Sequence, residues 1–171
     1  QVDTYNEFEV GSLYGMASFN FKNVGGDTFT NVFDESGDIG DYPTGNRMRQ
    51  GFAYLSWHDW DFQLLVSDNQ QDHVNSVFSY PDGILDSQRV FFDTQYQWDG
   101  PASWSNSLAY TVNRLEQNFF IVGNVIGGAR STDSLLEWTS DVKVNDYINL
   151  IAGTTVELQE MTFIRSKDYV S

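Results

Sequence analysis

Residues 51–67, GFAYLSWHDWDFQLLVS, carry the clearest structural pattern in the chain. On each side of His58-Asp59, apolar and polar residues alternate, so that each segment has one apolar and one polar face. Alternation with a period of two is typical of half-buried β-strands. The stretch therefore predicts two strands joined by a tight turn at His58-Asp59. Trp57 and Trp60 bracket that turn, and an amphipathic indole fits a boundary between an apolar and an aqueous environment.

The same pattern recurs along the chain, separated by connections of two lengths. Alternating segments occupy 13–21, 89–98, 104–112, 134–144 and 148–158, and residues 4–10 alternate more weakly. Short turns are predicted near residues 58, 100 and 145, the last as a two-residue turn at Asn145-Asp146. Long polar connections at 23–46, 68–87 and 114–133 read as loops. The apolar patch FFIVGNVIGG at 119–128 predicts either a strand pair or a loop folded into a lumen.

This sorting of connections by length favours one architecture. Outer-membrane barrels have short periplasmic turns and long outer loops, whereas soluble sandwiches do not usually separate their loops in this way. We therefore predict an all-β fold, an antiparallel up-and-down meander of an outer-membrane β-barrel, with residues 1–171 as a single domain. Seven strands are clear and residues 4–10 would supply an eighth. A small closed barrel and a part of a larger one are both compatible with the pattern.

The composition of the 171-residue chain narrows its possible functions. Asp and Glu number 24 against 9 Lys and Arg, for a net charge of −15. Nucleic-acid binding needs clustered Lys and Arg, so no nucleic-acid partner is expected. The chain contains no Cys, which excludes disulfides and thiolate metal sites. No apolar run reaches the 18 residues of a transmembrane helix, and an aromatic fraction of 16% with only 3 Pro is typical of strands.

Three stretches of the sequence resemble the TonB-dependent receptors of bacterial outer membranes. They are Gly11-Ser12-Leu13-Tyr14-Gly15 with Ala17 and Asn20, the segment DSQRVFFDTQYQW at 86–98, and the segment LLEWTSDVKVNDYINLIAGTTVEL at 135–158. The first is similar to the end of the family's plug domain, so residues 1–22 would be the plug end and first barrel strand. The resemblance implies an outer-membrane location and uptake of a scarce nutrient: an iron chelate, cobalamin or glycan. It also implies outer-membrane lipid and an inner-membrane energy-coupling protein as partners.

The long connections hold the candidate ligand-binding residues. The acidic stretch DESGDIGD at 34–41 supplies Asp34, Asp38 and Asp41, which could ligate Ca²⁺ because this cation takes several oxygen ligands from flexible loops. A solvated outer loop is the alternative interpretation. No other cofactor is expected. Phe78, Tyr80 and the FFIV segment at 119–122 could contact a ligand or equally pack loop against loop. The full candidate ligand-binding set is Asp34, Asp38, Asp41, Tyr42, Phe78, Tyr80, Phe119 and Phe120.

The aromatics beside the short turns are the candidate membrane-interface residues: Trp57, Trp60, Trp98, Trp104 and Tyr147. His58 and His73 show no ligand spacing, and no nucleophile with an oriented base can be identified, so no catalytic residues and no enzymatic activity are predicted. Two other functions are compatible with the sequence. One is a small structural or adhesive outer-membrane barrel. The other is a soluble β-sandwich that binds carbohydrate, with Ca²⁺ as a strut and the tryptophans in its core or on a binding platform.

Overall fold

A computed structural model of the chain describes residues 1–33, 39–72, 83–101, 103–121 and 124–165. Every regular element within these ranges is a β-strand, and they contain no helix long and apolar enough to cross a membrane. The strands are β1 (Val2–Val10), β2 (Leu13–Phe33), β3 (Ile39–Trp57), β4 (Trp60–Asp72), β5 (Gly83–Gly100), β6 (Trp104–Ile121), β7 (Asn124–Lys143) and β8 (Asn149–Arg165). The segment 4–10 is therefore part of a strand, and residues 1–22 form β1 and the beginning of β2 in one sheet.

The eight strands form one antiparallel sheet in sequence order, from β1 to β8. This confirms the predicted all-β, up-and-down meander. Within the described ranges β1 and β8 are the two edges, and the sheet is open. Each described strand contacts only its neighbours in sequence. A sandwich needs a second sheet packed face to face on the first, so the alternative sandwich fold does not describe these strands.

The short turns lie close to their predicted positions. His58 and Asp59 join β3 to β4 as predicted, with His58 at a φ of 54°, and Ser103 has a φ of 65° in the β5–β6 turn. The two-residue turn predicted at Asn145-Asp146 is wrong. The backbone N–H groups of Val144 and Asn145 both donate to the carbonyl of Ile148, at 3.0 and 3.3 Å. This turn is wider, and the Asn145 side chain accepts from the Tyr147 N–H at 2.8 Å within it.

The described residues of the three long connections belong to strands, which corrects the prediction of these segments as loops. Pairing between β2 and β3 continues to Phe33 and Ile39, between β4 and β5 to Asp72 and Ile84, and between β6 and β7 to Ile121 and Asn124. Polar composition was the loop signal, but a ladder is made by backbone groups and tolerates polar side chains where both faces are wet. Of the two readings of residues 119–128, the strand pair is confirmed, with 122 and 123 outside the described residues.

The sheet has no core beneath it. Residues directly opposite each other in neighbouring strands point to the same face, so the registers divide the side chains into two continuous faces. One face is mainly apolar and the other mainly polar. No large side chain among the described residues is fully buried, and most of the exposed large hydrophobic residues belong to the apolar face. The apolar face is therefore a surface, with no protein layer of the described chain covering it.

Candidate functional site

The apolar face carries a continuous band across the sheet. It consists of the residues of that face within 2–10, 13–21, 51–57, 60–66, 90–98, 104–112, 134–142 and 150–158, and we call it the apolar band. Leu64 in β4 is 40% exposed, and Val156 and Leu158 in β8 are 60% and 62% exposed. A membrane-spanning strand needs about 9–11 residues, and such bands are about 25 Å tall. The band covers seven to nine residues of each strand, roughly 23–30 Å along the strand axis at about 3.3 Å per residue.

Aromatic rings border the apolar band along the edge of the short turns. Trp57 lies opposite Trp60, and Trp60 lies opposite Tyr96, with ring centroids 4.6 Å apart. Tyr96 stacks with Trp98 at 5.5 Å. In the next hairpin the indole N–H of Trp104 donates to the Ser140 hydroxyl. The structure thus brings the four predicted tryptophans to one face and one edge.

Other aromatic residues also lie near the short-turn edge of the sheet. Tyr147 is 97% exposed in the β7–β8 turn. Tyr96 and Trp138 also belong to the apolar face, with Trp138 opposite Leu108, but neither was among the predicted interface residues. The period-two pattern could have identified them, because each lies an even number of residues from the apolar residues of its own strand. Lipid contact by the whole set stays a prediction.

The polar face is strongly acidic. The basic side chains of this face, among residues whose side chains are described, are Lys22, Arg89 and Lys143. Its carboxylates at described positions are more numerous: Asp3, Glu7, Glu9, Asp61, Asp93, Asp99, Asp133, Glu137, Asp141 and Glu157. These carboxylates accept hydrogen bonds from neutral groups: Asp61 from the Tyr54 hydroxyl and Asp93 from Thr111, both at 2.6 Å. Lys143 pairs at 3.1 Å with Asp146 in the turn. Uncompensated carboxylates need water, so this face has to be hydrated.

The candidate ligand-binding residues do not form one described cluster. Asp34, Asp38, Phe78 and Tyr80 lie outside the described residues, as does His73. Asp41 and Tyr42 belong to the backbone of β3. Phe119 and Phe120 are half-buried neighbours in β6, paired with Gly127 and Val125 across a register shift.

The Ca²⁺ prediction and the absence of a catalytic centre remain untested. Across the described ranges, no group of three or more His, Asp or Glu side chains is arranged to hold a metal ion. Two of the three predicted aspartates, Asp34 and Asp38, lie outside those ranges. His58 lies in its turn with Nε2 3.3 Å from Ser12 Oγ, a contact that joins two adjacent turns.

The chain matches no protein-family model and no curated protein.

Proposed function

We propose that this sheet is part of the wall of an outer-membrane β-barrel that transports a small-molecule nutrient. In this proposal the apolar band faces lipid and the acidic face lines the interior. The observation that carries the proposal is the uncovered apolar band, whose short-turn edge is lined by Trp57, Trp60, Trp98 and Trp104. Such a band with an aromatic border is typical of outer-membrane barrels.

The acidity of the polar face supports a wide barrel over a small one. An eight-stranded barrel has an interior just wide enough for its side chains to fill. Filling that space here would bring Asp61, Asp93, Asp133 and Glu137 into a dry interior with few cations to pair with them. Burying unpaired carboxylates is very unfavourable. A barrel with more strands keeps a water-filled lumen, and the two edges of this sheet, β1 and β8, are where further strands would pair.

The nutrient and the energy source of transport are proposed from the resemblance to TonB-dependent receptors. An iron chelate, cobalamin or a glycan would be captured at the long-connection end and released inward through an inner-membrane energy-coupling protein. Phe119 and Phe120 lie at that end of the sheet. A small structural or adhesive barrel is the weaker alternative because it does not account for the charge of the polar face.

A flotation experiment tests the membrane-wall proposal. The full chain would be refolded with phosphatidylcholine vesicles and centrifuged on a density gradient, and a parallel sample would be analysed by size exclusion with and without detergent. We expect β-rich protein to float with the vesicles and to aggregate in buffer alone, because the apolar band and both sheet edges are exposed. Monodisperse, detergent-free protein that stays at the bottom of the gradient would contradict the proposal.

A further inference from the structure

The arginines of the apolar face all lie along one border of the apolar band. Arg47 and Arg49 precede it in β3, Arg114 follows it in β6, and Arg130 precedes it in β7. All four are at the end of the long connections, and we call them the arginine rim. The other basic residues with described side chains, Lys22, Arg89 and Lys143, point to the polar face. Basic groups at described positions of the apolar face therefore mark a single border.

Two members of the arginine rim are held together by one carboxylate. Glu116 Oε2 accepts from Arg130 Nη2 at 2.7 Å and Nε at 2.8 Å, and lies 3.4 Å from Arg114 Nη2. The hydrogen bonds from Arg130 and then Asn118, with a smaller contribution from Arg114, lower the pKa of Glu116, so it is ionised at neutral pH. Two guanidinium groups share one negative charge, which leaves a net charge of +1 on the trio.

The arginine pair is accessible and has donors to spare. Arg114 and Arg130 are 50% and 46% exposed, and Glu116 between them is 22% exposed. A guanidinium carries five N–H donors. Arg130 uses one edge on Glu116, and Arg114 makes a single contact to the same carboxylate within the described part of the chain. The unused donors are available to an external anion.

The pair also lies at the depth where a lipid phosphate would be found. Arg114 is the next residue of the apolar face after Val112, which ends the apolar band in β6, and it lies opposite Thr132. A guanidinium at this position is immediately outside the hydrocarbon layer of a bilayer that covers the band. Arginine forms bidentate hydrogen bonds with phosphate, and Thr132 would add a hydroxyl donor.

Carboxylates also occur near this border. Asp68 lies opposite Arg49 and Gln88, and Asp86 lies in the next row. Burial, followed by the nearby Asp68 carboxylate, raises the pKa of Asp86. These acidic groups offset the charge of Arg47 and Arg49 in β3–β5. Glu160 lies in the same row as Arg114, on the far side of Thr132, so a carboxylate also lies near the arginine pair. What distinguishes Arg114 and Arg130 is the shared Glu116 carboxylate, which holds two exposed guanidinium groups side by side.

We propose that Arg114 and Arg130, spaced by Glu116, bind the phosphate of an anionic membrane lipid whose acyl chains lie on the apolar band. The inference rests on the proposed membrane-wall function and adds a lipid-binding site to it. A basic residue close to a membrane surface contributes about fivefold in affinity for anionic lipid. The pair should therefore make the chain discriminate between anionic and zwitterionic lipids of the same acyl composition.

The test is lipid retention by the full chain in detergent micelles. The protein would be incubated with an equal mixture of dioleoyl phosphatidylglycerol and dioleoyl phosphatidylcholine, and the bound lipids counted by native mass spectrometry. We expect the wild type to prefer phosphatidylglycerol by at least about fivefold, and the Arg114→Gln/Arg130→Gln variant to lose that preference. Arg89→Gln is the matched control, since Arg89 lies at a similar height on the polar face, where it donates to Asn113 at 2.9 Å.

A third variant distinguishes the effect of the positive charges from the effect of the planar, bidentate geometry of the guanidinium groups. Arg114→Lys/Arg130→Lys keeps both charges and should retain part of the preference, because lysine contacts phosphate as a point charge only. Circular dichroism would show that each variant keeps its strand content. An unchanged preference in the double Gln variant, or equal retention of both lipids by the wild type, would overturn the lipid site and leave the membrane-wall proposal standing. Soluble, detergent-free protein that retains neither lipid would overturn both.

Discussion

At the scale of single residues, backbone conformation places His58 under strain. Its φ of 54° lies in the left-handed region, which costs an L-residue with a side chain about 1–2 kcal/mol. Glycine adopts this conformation without that cost. The side chain of His58 makes one exposed contact, with Ser12, and this contact offsets little of the strain.

His58→Gly should therefore raise the free energy of unfolding by about 0.5–1 kcal/mol, the released strain minus the added entropy of the unfolded chain. The measurement is urea unfolding of protein folded into detergent micelles. Asp59→Gly is the control, because Asp59 does not have a positive φ and its replacement only makes the unfolded chain more flexible. Stabilisation by Asp59→Gly and not by His58→Gly would refute the argument.

Gly153 allows close approach of two strands. A Cβ at this position would lie 2.7 Å from the backbone carbonyl oxygen of Trp138, whereas a Cβ at Gly25 would meet nothing within 4 Å. A backbone oxygen cannot rotate away as a side chain can. Gly153→Ala should thus destabilise the β7–β8 pairing by about 1–3 kcal/mol, and Gly25→Ala should leave stability nearly unchanged. Amide hydrogen exchange in β8 would report the difference, and equal exchange in both variants would contradict it.

Two carboxyl groups outside the apolar band should give opposite dependences of stability on pH. The pKa of Asp86 is raised, so the native state binds more protons than the unfolded state and stability falls as pH rises from about 3.8 through the raised pKa. The pKa of Glu116 is lowered, so its contribution is present above about 4.5 and is lost as pH falls through the lowered pKa.

Asp86→Asn should consequently be more stable than the wild type at pH 7 and lose this advantage at acidic pH. Glu116→Gln should be less stable at pH 7 and converge with the wild type at acidic pH. Urea midpoints measured from pH 3 to pH 7 in detergent would compare the two variants. Parallel pH profiles would show that neither carboxyl group is coupled to folding in this way.

At the scale of the strand, neighbouring residues face different environments. Leu64 in β4 belongs to the middle of the apolar band, and Gln63 beside it belongs to the polar face. Both are near the same depth, so they differ mainly in orientation. A single charge placed at each position therefore reports which face meets lipid.

Leu64→Lys should oppose membrane insertion by about 2–4 kcal/mol, the effect of a lysine at the middle of a lipid-facing surface. Gln63→Lys should have little effect, because the polar face already holds Asp61 and Asp93. The fraction of protein that floats with phosphatidylcholine vesicles measures both. Equal losses for the two variants would show that β4 does not present one face to lipid.

At the scale of the whole molecule, the width of the proposed barrel would decide how much water reaches the polar face. Ala109 points to the polar face between Gln95 and Glu137, and Leu108 beside it points to the apolar face. The chain has no Cys, so an introduced thiol is the only one to react.

With protein inserted in vesicles, Ala109→Cys should react rapidly with a membrane-impermeant maleimide, and Leu108→Cys should be protected by lipid. A narrow barrel filled with side chains would instead protect both positions. Slow labelling of both cysteines would therefore exclude the water-filled lumen, while rapid labelling of both would exclude lipid on the apolar face.

Local sequence predicts the part of the structure that depends on alternation. The period of two located the strands within the apolar band and assigned Trp57 and Trp60 to the same face, because side-chain direction along a strand follows from parity alone. The alternation could not predict that the polar segments continue as strands. Strand pairing there is made by backbone groups and does not require alternating apolar and polar side chains.

Register and pairing were decided only in three dimensions. Arg114 and Arg130 are brought to Glu116 by the pairing of β6 with β7, and a shift of one residue would place Arg130 on the other face. The placement of Trp98 and Trp104 near Trp60 likewise depends on two successive registers, those of β4 with β5 and of β5 with β6. These contacts join residues distant in sequence, and the hydrogen-bond ladder that aligns them is a property of the assembled sheet.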